Sequence, residues 1–395
     1  MSGWEKVKLE ELYEVHNGLS KPRSAFGSGH PFLSFSTVFN NFYLPESLDS
    51  LVQSSEAERE SFSIRRGDVF VTRTSETPEE LGMSSVALKD YPDATYNGFC
   101  KRLRPVSERV WPEFIGYVFR HFAFRSKFYG LAGSMTSRAS LKNEDLLDME
   151  ISLPPLAEQQ RIAGVLRAYD EAIENCRRQI SLLEEATQML YRNRFLSGNE
   201  DNWESVSILD NDVFRFVSPK VTPFRGEKLY YATADVDGTG IVGQGEFVSF
   251  DNRPSRASIQ PIPNSVWFAR MSNSYKILCF IEGCGGLENR CIISSGFAGF
   301  SSAPEHFGYV YCTIASRLFD EMKNRFATGA TQVSLTNEGL GKISVRLPPR
   351  EAIRDFSSIV LPYLKNAELL RCQIKSFSEA RDRLLPRLLS GEASA

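Results

Sequence analysis

The sequence predicts two α/β (α+β) globules in tandem, each followed by a long helix, with the two helices paired antiparallel as a coiled coil and the chain forming a pseudo-two-fold internal repeat. Three observations predict it. Segments recur at a fixed offset, short strand-like runs alternate with turn residues early in each copy, and a stretch poor in Gly and Pro with heptad spacing closes each copy.

The repeat comes first because it decides architecture before any local motif does. Ser140-Leu141-Lys142-Asn143-Glu144 recurs as Ser334-Leu335-Thr336-Asn337-Glu338, and Leu153-Pro154-Pro155 recurs as Leu347-Pro348-Pro349, both at an offset of 194 residues. Pro112-Glu113 and Gly116-Tyr117-Val118 reappear as Pro304-Glu305 and Gly308-Tyr309-Val310, and Leu196-Ser197-Gly198 as Leu389-Ser390-Gly391. Trp4-Glu5 and Trp203-Glu204 open the two copies. The expected bounds are a first globule over 1–153, a helix over 154–197, a second globule over 198–347 and a second helix over 348–391.

Each globule mixes β-branched and aromatic runs with Gly, Pro, Asn and Asp clusters, which reads as strand-rich. Asp68-Val69-Phe70-Val71-Thr72 after the Arg66-Gly67 turn and Ser265-Val266-Trp267-Phe268-Ala269 after Pro263-Asn264 are expected to be equivalent core strands. In the first helix Ile162, Tyr169, Cys176, Leu183 and Leu190 lie seven apart, with Val165, Ala172 and Ala186 beside them. The second helix offers Phe356, Tyr363, Leu370, Phe377 and Leu384, with Ile353, Val360, Ala367 and Ile374 as companions. About 40 residues of helix make roughly 60 Å of rod, and neither stripe can be buried alone. Pro362 removes one helical hydrogen bond, so a bend is expected there.

Chain order makes mutual packing antiparallel, because the first helix runs toward the second globule and the second helix starts from it. The result imitates a symmetric dimer, with two similar globules held apart at a distance suited to two DNA half-sites about 34 Å apart. Unequal globules imply an asymmetric, bipartite target.

A length of 395 residues suggests at least two cores, and a composition 42% hydrophobic and 24% charged suits a folded chain. No apolar run nears the roughly 18–20 residues that span a bilayer. The opening Met1-Ser2-Gly3-Trp4-Glu5-Lys6 lacks a signal-peptide core, which gives a cytoplasmic expectation without membrane contact. Seven irregularly spaced cysteines read as reduced and largely buried, and His16, His30, His121 and His306 show no ligand spacing. No metal and no cofactor are expected. With a net charge of -3, nucleic-acid contacts must come from locally placed Arg and Lys.

The residues Gly67-Asp68-Val69-Phe70-Val71-Thr72-Arg73-Thr74-Ser75, Leu153-Pro154-Pro155-Leu156-Ala157-Glu158-Gln159-Gln160-Arg161-Ile162-Ala163 and Leu384-Leu385-Pro386-Arg387-Leu388-Leu389-Ser390-Gly391 resemble the specificity subunit of type I restriction-modification systems. The resemblance covers essentially the whole chain and makes the globules target-recognition domains and the helices spacers. The second copy departs from the pattern at Leu347-Pro348-Pro349-Arg350-Glu351-Ala352-Ile353, which lacks the Glu-Gln pair. What the resemblance implies is a non-catalytic subunit that reads double-stranded DNA for two modification (methyltransferase) subunits and two restriction (ATP-dependent translocase and nuclease) subunits. The sequence agrees, having no Asn-Pro-Pro-Tyr or Asp-Pro-Pro-Tyr methylation motif and no phosphate-binding loop. A protein-interaction scaffold without DNA specificity is the alternative.

Base readout needs forked donors or amides in loops, with Lys, Arg, Ser and Thr on phosphates. The first globule offers Lys21 and Arg23, then Arg73, Thr74 and Ser75, then Lys101 and Arg102 with Arg104, then Ser134, Thr136, Ser137 and Arg138. The second offers Lys220, Thr222 and Arg225, then Arg253 and Arg256, then Arg270, Ser272 and Asn273, then Thr331, Gln332 and Ser334. Each could equally be an ordinary solvated surface group. The runs just before the Ser-Leu-x-Asn-Glu match rank highest, because they recur in both halves.

Overall fold

The computed structural model describes residues 4–75, 81–132, 139–197, 203–329 and 333–391. The chain divides into two compact units, one of residues 1–171 with 378–395 and one of residues 172–377. Each unit therefore holds a globule together with the start of one long helix and the end of the other.

In the first unit Gly67 adopts a left-handed φ of 91°, a conformation open to glycine, and turns the chain into the fully buried strand Val69–Thr72. In the second unit Asn264 does the same at φ 51°, and its side-chain oxygen accepts from the Glu282 N–H at 3.2 Å. There it leads into the equally buried strand Ser265–Ala269. The expected core strands are thus present, each entered through a residue that tolerates positive φ.

The strand orders around them match. The first unit has the antiparallel order Tyr13–Asn17, Cys100–Pro105, Val69–Thr72, Ser84–Val86, and the second has Arg215–Val217, Phe297–Ser301, Ser265–Ala269, Ile277–Phe280. A second small sheet accompanies each, containing one parallel pair: Phe26–Leu33 with Thr95–Tyr96, and Lys228–Tyr231 with Cys291–Ser294. The opening and closing segments of each copy face one another, since Glu5 pairs with Leu153 and Glu204 with Leu347 in antiparallel ladders.

The repeated Gly-Tyr-Val segments lie on helices Pro112–Arg120 and Phe307–Ile314. Their glycines recur for closeness: a Cβ on Gly116 would strike the Tyr43 ring, and one on Gly308 would strike the backbone of Ser357. The tyrosines recur as buried anchors. Tyr117 donates to Asp170 Oδ2 and Tyr309 to the Arg346 carbonyl, each at 2.5 Å.

The long helices are Leu156–Phe195 and Arg350–Leu389, 40 residues each. In the first unit Ile162, Ala163 and Leu166 share a core with Leu388 of the other helix, and Arg381 meets Asp170 at 2.6 Å. In the second unit Tyr191 and Phe195 share a core with Ile353, Phe356, Val360 and Leu364, and Arg371 pairs with Glu184. The buried stripes depart from strict heptads near the globules: Leu190 is exposed where Tyr191 is buried, and Tyr363 is exposed where Leu364 is buried. A straight helix drifts about 20° per heptad, and its ends here face a globule core rather than another helix. Arg350–Leu389 stays helical through Pro362, which leaves the Ser358 carbonyl without its helical donor.

The Glu-Gln departure between the copies has a structural meaning. Gln159 is 0% exposed; its oxygen accepts from the Trp111 N–H at 2.8 Å and its amide donates to the carbonyls of Arg109 at 2.8 Å and Pro154 at 2.9 Å. Ile353, at the equivalent position, is buried among apolar side chains instead. Gln159→Ala is expected to destabilise the first unit by about 1–3 kcal/mol through unsatisfied backbone groups, read as a lower urea midpoint at unchanged slope. An unmoved midpoint would show that water replaces the amide.

Candidate nucleic-acid interface

Two of the polar segments singled out in the first globule, the Gly18–Lys21 turn and Arg73–Ser75, converge with Asn97–Lys101. Where Val69–Thr72 ends, Arg73 donates its N–H to the Phe99 carbonyl at 2.8 Å and its carbonyl accepts from the Leu141 N–H at 3.0 Å. Thr74–Ser75 then pairs antiparallel with Ala139–Ser140. The Gly18–Lys21 turn closes the group, with Gly98 N–H donating to the Leu19 carbonyl at 2.9 Å and Gly18 N–H to the Cys100 carbonyl at 3.2 Å. Ser134, Thr136, Ser137 and Arg138 lie outside the described residues.

Charge in this cluster is held as well as displayed. Lys101 donates to Asn17 Oδ1 at 3.0 Å and to Asn143 Oδ1. Burial, with the Arg73 guanidinium near it, lowers the pKa of its ammonium. Arg102, one residue on and so on the other face of the strand, is turned inward: it donates to the Ser63 carbonyl at 2.7 Å and lies 5.4 Å over the Tyr96 ring. Arg104 likewise grips the buried Asp68 at 2.8 and 2.7 Å. Lys21 is paired with Glu58 at 2.6 Å, whereas Arg23 is exposed.

The second unit builds the equivalent cluster from other side chains. Arg270 donates its N–H to the Gly296 carbonyl at 2.9 Å and accepts at its carbonyl from the Leu335 N–H at 2.8 Å, matching Arg73. Its guanidinium donates to the Leu335 carbonyl and to Asn337 Oδ1, both at 2.9 Å, and burial lowers its pKa. Ser272 N–H donates to the Val333 carbonyl at 3.0 Å, Met271 bridges to Ser334, and the exposed Asn273 stands next in the loop. Thr331 and Gln332 lie outside the described residues.

Arg256 and Lys220 are brought alongside, since the Arg256 carbonyl accepts from Ser295 N–H at 2.9 Å and Lys220 bridges to Ile259. Thr222, Arg225 and Arg256 are exposed. Arg253 shapes the loop instead, donating to the Ala257 carbonyl at 3.1 Å with its guanidinium 4.1 Å from the Phe250 ring centre.

Two features escape a reading of the sequence for cations. Asn143 and Asn337 each hold a cation of the cluster, Lys101 in one unit and Arg270 in the other, and their signal was the repeated Ser-Leu-x-Asn-Glu motif. Phe99 stands 61% exposed in the middle of the first cluster. Arginine forks, amides and hydroxyls on anchored loops can donate to phosphates and base edges. Among the described residues no group of His, Cys, Asp and Glu is arranged to hold a metal ion, and no helix is long and apolar enough to cross a membrane.

Comparison with known proteins follows the same line. Residues 1–185 match the model of the Type I restriction modification DNA specificity domain. The chain is 21% identical to the putative type I restriction enzyme MjaX specificity subunit of Methanocaldococcus jannaschii, over 98% of this chain and 93% of that one. It is 24% identical to the type I restriction enzyme MjaIX specificity subunit of the same organism, with the same coverage of 98% and 93%. Its fold is similar to the crystal structure of the type I restriction-modification system S subunit from M. genitalium, at a TM-score of 0.58 and 16% identity, covering 98% of this chain and 96% of that one. The specificity domain model thus matches the first part of the chain, and type I restriction enzyme specificity subunits are what it is similar to along nearly its whole length.

Proposed function

We propose that the chain is the non-catalytic specificity subunit of a type I restriction-modification complex, in which each globule reads one half of an asymmetric bipartite DNA target. The observation that carries this reading is the recurrence of one loop cluster on two different sets of side chains: Leu141 N–H on the Arg73 carbonyl in one unit, Leu335 N–H on the Arg270 carbonyl in the other. A shared frame with unequal readers suits two half-sites of different sequence.

The target-recognition domains are residues 1–153 and 198–347, and the helices 154–197 and 348–391 act as an antiparallel coiled-coil spacer in a pseudo-two-fold molecule. Support comes from within each unit, where the start of one long helix meets the end of the other. Arg23, Arg73, Lys220, Arg225, Arg256, Arg270, Asn273 and Ser334 are the best placed of the described contacts; Lys101, Arg102 and Arg253 act from behind, by shaping the loops. The chemistry belongs to the partners, two methyltransferase subunits and two ATP-driven restriction subunits working on cytoplasmic DNA. The chain itself takes no cofactor.

Mapping methylated adenines across a genome, with and without this chain beside its modification subunits, tests the reading. A split motif present only with the chain is expected. Exchanging residues 4–153 for another family member's first globule is expected to rewrite one half of that motif and leave the other intact. Changes in both halves, or no chain-dependent motif, would refute independent readers; the second outcome would favour a protein-interaction scaffold.

A further inference from the structure

Resting on the specificity reading above, we propose that Phe99 is an apolar base reader in the first half-site, taking the C5-methyl group of one thymine in the major groove. The Phe99 ring is 61% exposed, and its backbone is fixed on every side. The Phe99 N–H donates to Asn97 Oδ1 at 2.8 Å and its carbonyl accepts from the Arg73 N–H at 2.8 Å. On either side, Gly98 N–H is fixed to the Leu19 carbonyl at 2.9 Å and Cys100 N–H to the Asn97 carbonyl at 2.9 Å.

The backbone layers beneath are pressed so closely that a Cβ on Gly18 would collide with the Asn97 carbonyl and one on Gly98 with the Ser20 hydroxyl. The turn is therefore rigid, and little freedom of its backbone remains to be lost on contact.

Its surroundings select the kind of partner. The groups that bond the turn and the strand after it are polar: Arg73 donates to the Gly98 carbonyl at 3.4 Å, Asn97 accepts from the Phe99 N–H, and Asn17 accepts from Lys101. Cations and amides around a single apolar group match the major-groove edge of a T·A pair, where a methyl group sits beside acceptors and phosphates. In the second unit the equivalent turn, which accepts from Arg270 N–H, presents Gly296 and no side chain. Methyl reading by this turn therefore belongs to one half-site only.

The test uses the full chain with its modification subunits and duplexes carrying the motif that methylation mapping defines. Each dT of the first half-site is replaced singly by deoxyuridine, which removes only the methyl group. The wild type is expected to bind one of these duplexes about tenfold more weakly than the dT parent. Phe99→Ala is expected to bind the dT and deoxyuridine duplexes alike at that position, with an unfolding midpoint equal to wild type. Indifference of the wild type to every replacement, a first half-site without thymine, or discrimination that survives in Phe99→Ala would overturn the assignment while leaving the specificity function standing. Failure to find any chain-dependent split motif would instead overturn the function on which it rests.

Discussion

Arg371→Met is expected to destabilise the second unit by about 3 kcal/mol, because it removes a cation that bonds two half-buried carboxylates at once. Arg371 bonds Glu184 of the first long helix and Glu368 of its own, and reaches the Thr239 hydroxyl at 3.1 Å. Glu368 in turn accepts from the Cys279 thiol at 3.2 Å. Burial opposes the guanidinium charge, yet Glu368 and its neighbours outweigh that and raise its pKa above the ordinary arginine value. Methionine keeps the packing of the aliphatic stem, so the loss reports on charge. Guanidinium chloride would mask an ion pair, so a urea melt at low salt is the measurement. A change within about 0.5 kcal/mol would place the network with ordinary surface pairs.

The second large effect concerns spacing. Inserting seven helix-forming residues after Glu171 and seven after Phe377, where the two units divide, adds two turns and about 10.5 Å to each helix. The methylated motif is expected to keep the letters of both half-sites and to gain about three unread base pairs between them, while methylation at the original sites is lost. Two turns return each side chain to nearly its starting face, so the helices remain matched. Insertion into one helix alone is expected to abolish methylation. Altered letters at constant spacing would show that the helices do not set the gap.

Much of this architecture could be read from the residues. The markers that open and close each copy lie opposite one another, Glu5 on Leu153 and Glu204 on Leu347, because a repeat of fold must repeat the contacts that shut it. The strand starting at Asp68 and the one starting at Ser265 announced themselves by a turn residue followed by continuous apolar sequence. Which cations face outward was less legible, since a strand sends Lys101 and Arg102 to opposite faces and both are buried there, one held by Asn17 and Asn143 and the other by Ser63. Leu190 and Tyr191 were confused for a related reason, a small angular drift that accumulates along a helix. Phe99 carries no signal of its own in the sequence; its turn is held by Leu19 and Arg73, far away along the chain.

The two ion pairs joining the long helices have the same polarity. Asp170 and Glu184 are on the first helix, Arg381 and Arg371 on the second. Electrostatics thus tells the halves apart: two copies of the first helix would leave Asp170 and Glu184 without these arginines, and two of the second would leave Arg371 and Arg381 without these carboxylates. The chain is biased toward closing on itself, and a symmetric assembly made from one half alone would have to form without that complementarity.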